Sequence, residues 1–455
     1  MVLLLFGNNI RLIIENYLKY GILISFPGSK VSKQDWILTA LTHALLPINL
    51  FVAYKLEEWA KKRAVGARKH RSEDATHSGT AVAAGSDNKK QGKVLSVDEQ
   101  VAADQKTVGW LHVLNLFSII AWPSFMSYYV IYHPFMAMSC LLNSCILFLK
   151  MTSLALVNRD LRAAYIFDQP AEKFPHLAKV HDSTNGSSEN NNADQDKKSD
   201  VFTYDIQYPD NVTIKNIGYF WLAPTLCYQP SYPRTTVFRK SFFFKRLLEI
   251  VTSLGMMYFL IEQYATPTLQ NSVRFFDQLA LGALLERTLK LSTTSVIIWL
   301  LMFYTFFHST LNALAEVLYF GDRCFYRAWW NATNLGSYWR LWNLPVYTFF
   351  KRHVYLPLLA KGVRPMWASV IIFTISAILH EVLIGFPTHM ILGYAFAGMF
   401  FQIPLIAMTQ PLEKWRGAGS GLGNMIFWVS FTIVGQPACA LLYYYHWTKK
   451  HMDGQ

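Results

Sequence analysis

MWASVIIFTISAILHEVLIGF, residues 366–386, carries a single adjacent pair of ionisable side chains, His380 and Glu381, in a run with no other charge. About 20 apolar residues are what a helix needs to cross the hydrocarbon core of a bilayer. Lipid offers backbone N–H and C=O groups no partners, so only helices and closed barrels span it. A barrel strand alternates apolar and polar residues over about ten positions, and no such alternation occurs here. The run therefore reads as a membrane helix. Leu291–Phe307 and Ile391–Met408 read the same way. Extending the test along the chain gives nine expected segments, at 2–26, 36–54, 109–131, 134–157, 242–263, 291–319, 366–386, 389–409 and 423–446. The fold class is all-α, a polytopic membrane protein of about nine spans, and the whole chain, 1–455, reads as one domain.

Composition agrees: 52% of residues are apolar, 15% aromatic and only 16% charged. The net charge of +13 does not indicate nucleic acid, because the basic residues lie between the apolar runs and form no reading helix. Placing the N-terminus in the cytosol puts most lysines and arginines in cytosolic loops, as the positive-inside rule requires. The sequons at Asn185, Asn211 and Asn331 are then cytosolic and are expected to stay unglycosylated. Cys140, Cys145, Cys227, Cys324 and Cys439 form no CxxC pair and no disulfide ladder. No cleavable signal peptide is evident, because the first apolar run passes into IRLIIENYLKYG without a small-residue cleavage site.

Two stretches, 61–106 with KKRAVGARKHRSED and 169–204 with DSTNGSSENNNADQDKKSD, are expected to be disordered cytosolic loops, too polar to bury a core. Region 320–365, FYRAWWNATNLGSYWRLWNLPVYTFFKRHVYLPLL within it, is dense in tryptophan and tyrosine, which favour the water boundary of a bilayer. Short interfacial helices broken near Pro345 and Pro357 are expected. This region is either an aromatic anchor belt or a substrate entrance.

The pair inside 366–386 carries the chemistry. On a helix, His380 and Glu381 project about 100 degrees apart, so both cannot face lipid cheaply. Histidine titrates nearest neutrality and is suited to take a proton from an alcohol. The plainer alternative is a hydrogen bond to a neighbouring helix. Asn343 offers a donor for a developing oxyanion, and Gln402 and Gln436 add amides. Nothing in the chain resembles a nucleophile elbow, a P-loop, a zinc site or a dinucleotide fingerprint.

FYRAWWN (Phe325, Tyr326, Arg327, Ala328, Trp329, Trp330, Asn331) followed by a histidine in a later apolar run resembles the membrane-bound O-acyltransferases. Tyr208–Thr235 (YPDNVTIKNIGYFWLAPTLCYQPSYPRT), ATPTLQNS, WNLPV, HVYLPLL, ILHE, FQIPL and VGQP extend the resemblance to the branch that esterifies diacylglycerol, with the sterol branch its nearest relative. The resemblance implies a helical bundle of the endoplasmic-reticulum membrane with interfacial helices around a reaction chamber, dimeric or tetrameric. It implies acyl-CoA and diacylglycerol as substrates, membrane lipids as surroundings and no metal or organic cofactor. It further implies His380 as the catalytic histidine with Glu381 beside it, and Asn343 and Gln436 lining the chamber. Trp339, Trp342, Asn343, Tyr347 and Tyr355 fall near an acyl-CoA entrance, and Met399 and Gln402 beside the acceptor chamber. Arg352 and Arg364, with Lys351 and Lys361, are expected to meet CoA phosphates, or else to reflect the positive-inside bias alone. The chain departs from the family pattern at Ala328, where an Asp is usual, and at Cys324 and Tyr347. A sterol acceptor, or a non-catalytic lipid-binding or transport protein, remains as an alternative.

Overall fold

The computed structural model describes residues 11, 14–24, 31–80, 97–170, 173–177, 206–278, 280–416 and 421–452. Among the described residues regular structure is helical throughout, with one isolated antiparallel bridge between Arg234 and Phe320. Three long helices pack on one another: α1 (Lys33–Thr80), α2 (Val97–Tyr129) and α3 (Pro134–Phe167). Their apolar seam holds Leu46, Leu50, Ala53, Ile119, Leu147, Met151 and Leu154. Glu57 of α1 closes it, with His112 of α2 at 2.9 Å and Arg162 of α3 at 3.0 Å, all three buried. Buried Lys150 of α3 donates to the carbonyls of Phe220, Trp221 and Ala223, at 2.6–2.9 Å. These are the terminal acceptors of the short helix α4 (Ile214–Leu222), which would otherwise lack partners.

The second half comprises α5 (Lys240–Leu260), α6 (Leu281–Phe303, continuing to Val317), α7 (Leu335–Leu341), α8 (Leu344–Phe350), α9 (Pro365–Gly385), α10 (Tyr394–Phe400), α11 (Gln402–Arg416), α12 (Gly421–Val429) and α13 (Gln436–Met452). Among the described residues six helices are long and apolar enough to cross a membrane: Lys33–Glu73, Val97–Tyr129, Pro134–Phe167, Leu281–Val317, Pro365–Gly385 and Leu422–Lys450. They coincide with six of the nine expected segments. Segment 242–263 is α5 and its extension. Segment 2–26 lies largely outside the described residues. Segment 389–409 is not one helix: Gly393, at φ +75°, precedes α10, and the chain breaks again before Gln402.

The expected loop 61–106 is also corrected. Its two ends, 61–80 and 97–106, prolong α1 and α2 beyond the apolar spans. Arg63–Asp104 and Arg71–Asp98, each at 3.3 Å, pair the two helices across their polar faces. Ala64, Val101, Ile166, Tyr208 and Val212 supply the apolar patch that the charge density had hidden. Residues 81–96, and most of 169–204, fall outside the described residues. Of the latter stretch, Pro175–Leu177 forms a 3₁₀ turn whose Leu177 is fully buried in the α1–α3 core.

Proline placement explains three of the four π-turns among the described residues, the exception being Tyr304–Thr310 in the α6 extension. π-turns at Ile261–Ala265, Lys351–Tyr355 and Ser430–Gly435 are each followed two residues later by a proline, Pro267, Pro357 and Pro437. A proline has no N–H for the carbonyl four residues back, and its ring collides with it. A wider turn moves that carbonyl aside and lets the helix continue. Pro357 thus does not break region 320–365. Pro345 sits in the first turn of α8, where a missing N–H costs nothing.

Candidate active site

Trp329, 2% exposed, is the centre of the aromatic layer that receives the 325–331 motif. Trp299 and Phe303 of α6 lie 5.1 and 5.0 Å away, and Tyr338 of α7 and Trp428 of α12 5.9 Å. Phe325 is buried against Ala223, Ala315 and Phe320, and the Tyr326 hydroxyl bonds His308 Nδ1 at 2.8 Å. The motif backbone is held along 341–344 by Arg327 N to Leu341 O (2.8 Å) and Leu344 N to Phe325 O (3.0 Å). Asn424 of α12 donates to the carbonyls of Trp330 and Ala332. Gly423 is required there, since a Cβ would come within 2.2 Å of the Thr333 carbonyl. Ala328, Trp330 and Asn331 are exposed.

This layer leads toward α9. The Trp339 ring meets Phe373 at 5.9 Å, and Trp342 closes on Phe307 at 5.2 Å. Phe373 and His380 are seven residues apart, two turns along one face of α9. One helix turn after Trp339, Asn343 caps α8: its Oδ1 accepts from Val346 N at 3.2 Å. That bond fixes the amide and directs its donor, Nδ2, away from the helix end.

His380 Nδ1 donates to the Ser376 carbonyl at 2.7 Å. In the neutral ring Nε2 therefore carries the lone pair. The ring is exposed on the surface of α9. Glu381 behaves oppositely. It is 8% exposed, on the packed face with Ala377 and Gly385, and its two oxygens accept from Gly393 N (2.8 Å) and Phe396 N (3.0 Å). The Tyr443 hydroxyl of α13 reaches both oxygens at 3.1 Å. Glu381 is thus held by α10 and α13 and is turned away from the open side of His380.

The other candidates divide. Gln436 begins α13 after a π-turn, where Ser295 Oγ of α6 donates to its Oε1 at 3.3 Å. Met399 is buried in α10, and Gln402 Nε2 donates to the Gly398 carbonyl at 3.1 Å. Tyr347 and Tyr355 are half-buried, with Lys351 Nζ 5.5 Å from the Tyr347 ring. Lys361 and Arg364 are exposed at the turn before α9. Arg352 corrects the expectation of a phosphate contact: it is 1% exposed, and its Nε donates to the His176 carbonyl at 2.6 Å. It stands on the face of α8 and its extension that, with Cys227, Phe325, Leu344 and Thr348, lines a cavity of about 290 Å³. Tyr443 escaped sequence reasoning, one tyrosine among 24 in the chain.

The sequence profile of the membrane-bound O-acyltransferase family matches residues 127–445. Among curated relatives, diacylglycerol O-acyltransferase 1C of Glycine max is 36% identical over 449 residues, covering 98% of this chain and 73% of that protein. Diacylglycerol O-acyltransferase 1 of Arabidopsis thaliana is 35% identical over 448 residues, 98% of this chain and 71% of its own length. The Bos taurus diacylglycerol O-acyltransferase 1 is 34% identical over 451 residues, 97% of this chain and 78% of its own.

Proposed function

The chain belongs to the membrane-bound O-acyltransferase family, and from that premise we propose that it joins an acyl group from acyl-CoA to diacylglycerol, giving triacylglycerol and free CoA. The acceptor is supported by 34–37% identity to diacylglycerol O-acyltransferases across nearly the whole chain. A non-catalytic lipid carrier falls away with the family assignment.

In the proposed mechanism His380 is the general base. Its Nε2 takes the hydroxyl proton of diacylglycerol while the oxygen attacks the thioester carbonyl carbon. The carbonyl π pair moves onto oxygen, where Asn343 Nδ2 is the candidate donor. Collapse expels the CoA sulfur, which takes the proton back from the imidazolium. No acyl-enzyme is required, because the acceptor oxygen attacks the thioester directly. The observation that carries this reading is the Nδ1 bond to the Ser376 carbonyl, which leaves Nε2 as the basic nitrogen of an exposed ring. Gln436, through Ser295, lines the same chamber in this reading. Trp339, Trp342, Tyr347 and Tyr355 guide the acyl chain, Met399 and Gln402 face the acceptor, and Lys361 and Arg364 receive the CoA phosphates.

We place the enzyme in the endoplasmic-reticulum membrane as a dimer or tetramer, in line with the family resemblance. Purified protein given radiolabelled acyl-CoA with diacylglycerol, sterol or long-chain alcohol in parallel should make triacylglycerol fastest. Faster sterol ester formation would reassign the acceptor.

A further inference from the structure

Glu381 has three partners from two other helices, and its position is better explained by architecture than by proton transfer. α10 begins at Gly393, which has no side chain to cap it. Its first N–H groups need an acceptor, and a carboxylate at a helix N-terminus also meets the positive end of the dipole. Glu381 of α9 supplies it through Gly393 N and Phe396 N. The approach is close: a Cβ on Gly385 would lie 3.0 Å from Glu381 Oε1 and 2.9 Å from the Met390 carbonyl. Tyr443, 6% exposed, completes the cluster from α13. Its oxygen accepts from Ala395 N at 3.4 Å, so its proton is directed to the carboxylate 3.1 Å away.

One carboxylate thereby joins the three helices that carry His380, Met399 and Gln436. We propose that Tyr443 is a positioning residue for acyl transfer: through Glu381 it sets the register of α9 against α10 and α13, and so the placement of His380 relative to the acceptor. The proposal rests on the reading of His380 as the base. Reactions of this kind are sensitive to misplacement of about 1 Å, and the groups of one network act as a unit.

The test compares Tyr443→Phe, Glu381→Gln, the double variant and His380→Ala as purified full-length enzymes, following kcat, KM for acyl-CoA, the pH profile of kcat/KM and thermal melting. Tyr443→Phe should lower kcat about tenfold and Glu381→Gln about a hundredfold, and the double variant should be no slower than Glu381→Gln alone. KM for acyl-CoA should stay within about twofold, and the acid limb of the pH profile of Tyr443→Phe should not move, because the base is unchanged. Unaltered kcat in Tyr443→Phe, multiplicative losses in the double variant, or a displaced acid limb would each overturn the proposal. Should His380→Ala keep turning over while the two clamp variants still fail to multiply, the base assignment falls and the clamp stands. An inactive His380→Ala beside a fully active Tyr443→Phe has the reverse meaning.

Discussion

Glu57 and Glu381 are both buried carboxylates that join three helices, yet they are satisfied differently. Glu57 lies between the charged or chargeable side chains of His112 and Arg162, inside the α1–α3 bundle. Glu381 is held by two backbone N–H groups and a tyrosine hydroxyl, beside an open histidine. The first arrangement does not tolerate loss of either partner, because an unpaired charge would be left in a buried seam. The second fixes geometry with neutral donors and adds no positive charge next to His380. The bundle therefore reads as scaffold and the α9–α10–α13 junction as the tuned part.

The largest effect expected from this contrast is on stability. Arg162→Ala, which strands Glu57, should cost about 3–5 kcal/mol and sharply lower the melting temperature, while the enzyme that remains folded keeps its kcat. An unchanged melting temperature would erase the distinction between the two carboxylates.

A second difference is pH dependence, outside the spans. His176 Nδ1 and His353 Nδ1 lie 3.2 Å apart, and His353 Nε2 is 2.7 Å from Ser153 Oγ. Burial, then the charges of Arg159 and Arg352, pushes His176 down to about 4. Burial and Arg352 hold His353 well below its ordinary value. The unfolded chain binds these protons first, so their contribution is intact above about pH 6.5 and is lost as pH falls toward about 4. Melting temperature should drop over that interval, and His353→Gln should flatten the slope. An equal slope in the variant would place the sensitivity elsewhere.

Smaller effects are expected at the mouth. Arg364→Glu should raise KM for acyl-CoA about threefold at low salt and less at high salt, since the group is exposed and screened. An unchanged KM would remove Arg364 from the CoA path. Ala328→Asp, restoring the residue usual in the family, should alter kcat by less than about twofold. Ala328 is exposed, and the motif is already held by the backbone bonds of Phe325 and Arg327 and by Asn424. A tenfold gain would show that the carboxylate matters here.

The six long spans were legible because uninterrupted apolar length is a one-dimensional property that lipid enforces on the backbone. Segment 389–409 misled because Gly393 and the break before Gln402 change direction without changing hydropathy. Three of the π-turns had a signal, a proline just after them, but its usual reading is a break, as at Pro357; the fourth, Tyr304–Thr310, had none. His380 was visible as a titratable group inside a span, and the capping role of Asn343 is consistent with WNLP, a capping residue two positions before a proline. The roles of Glu381 and Arg352 were not legible. Each depends on partners distant in the chain, Tyr443 for one and His176 for the other, and a charge in the sequence does not say whether it faces a substrate or a carbonyl.

The central claim is that His380 Nε2 removes the acceptor proton. Its most direct test is a single-turnover reaction of radiolabelled acyl-CoA with diacylglycerol, using wild type and His380→Ala matched for melting temperature and acyl-CoA binding. The account predicts that His380→Ala binds acyl-CoA but forms triacylglycerol at least about a hundredfold more slowly. Triacylglycerol formation at the wild-type rate would contradict it.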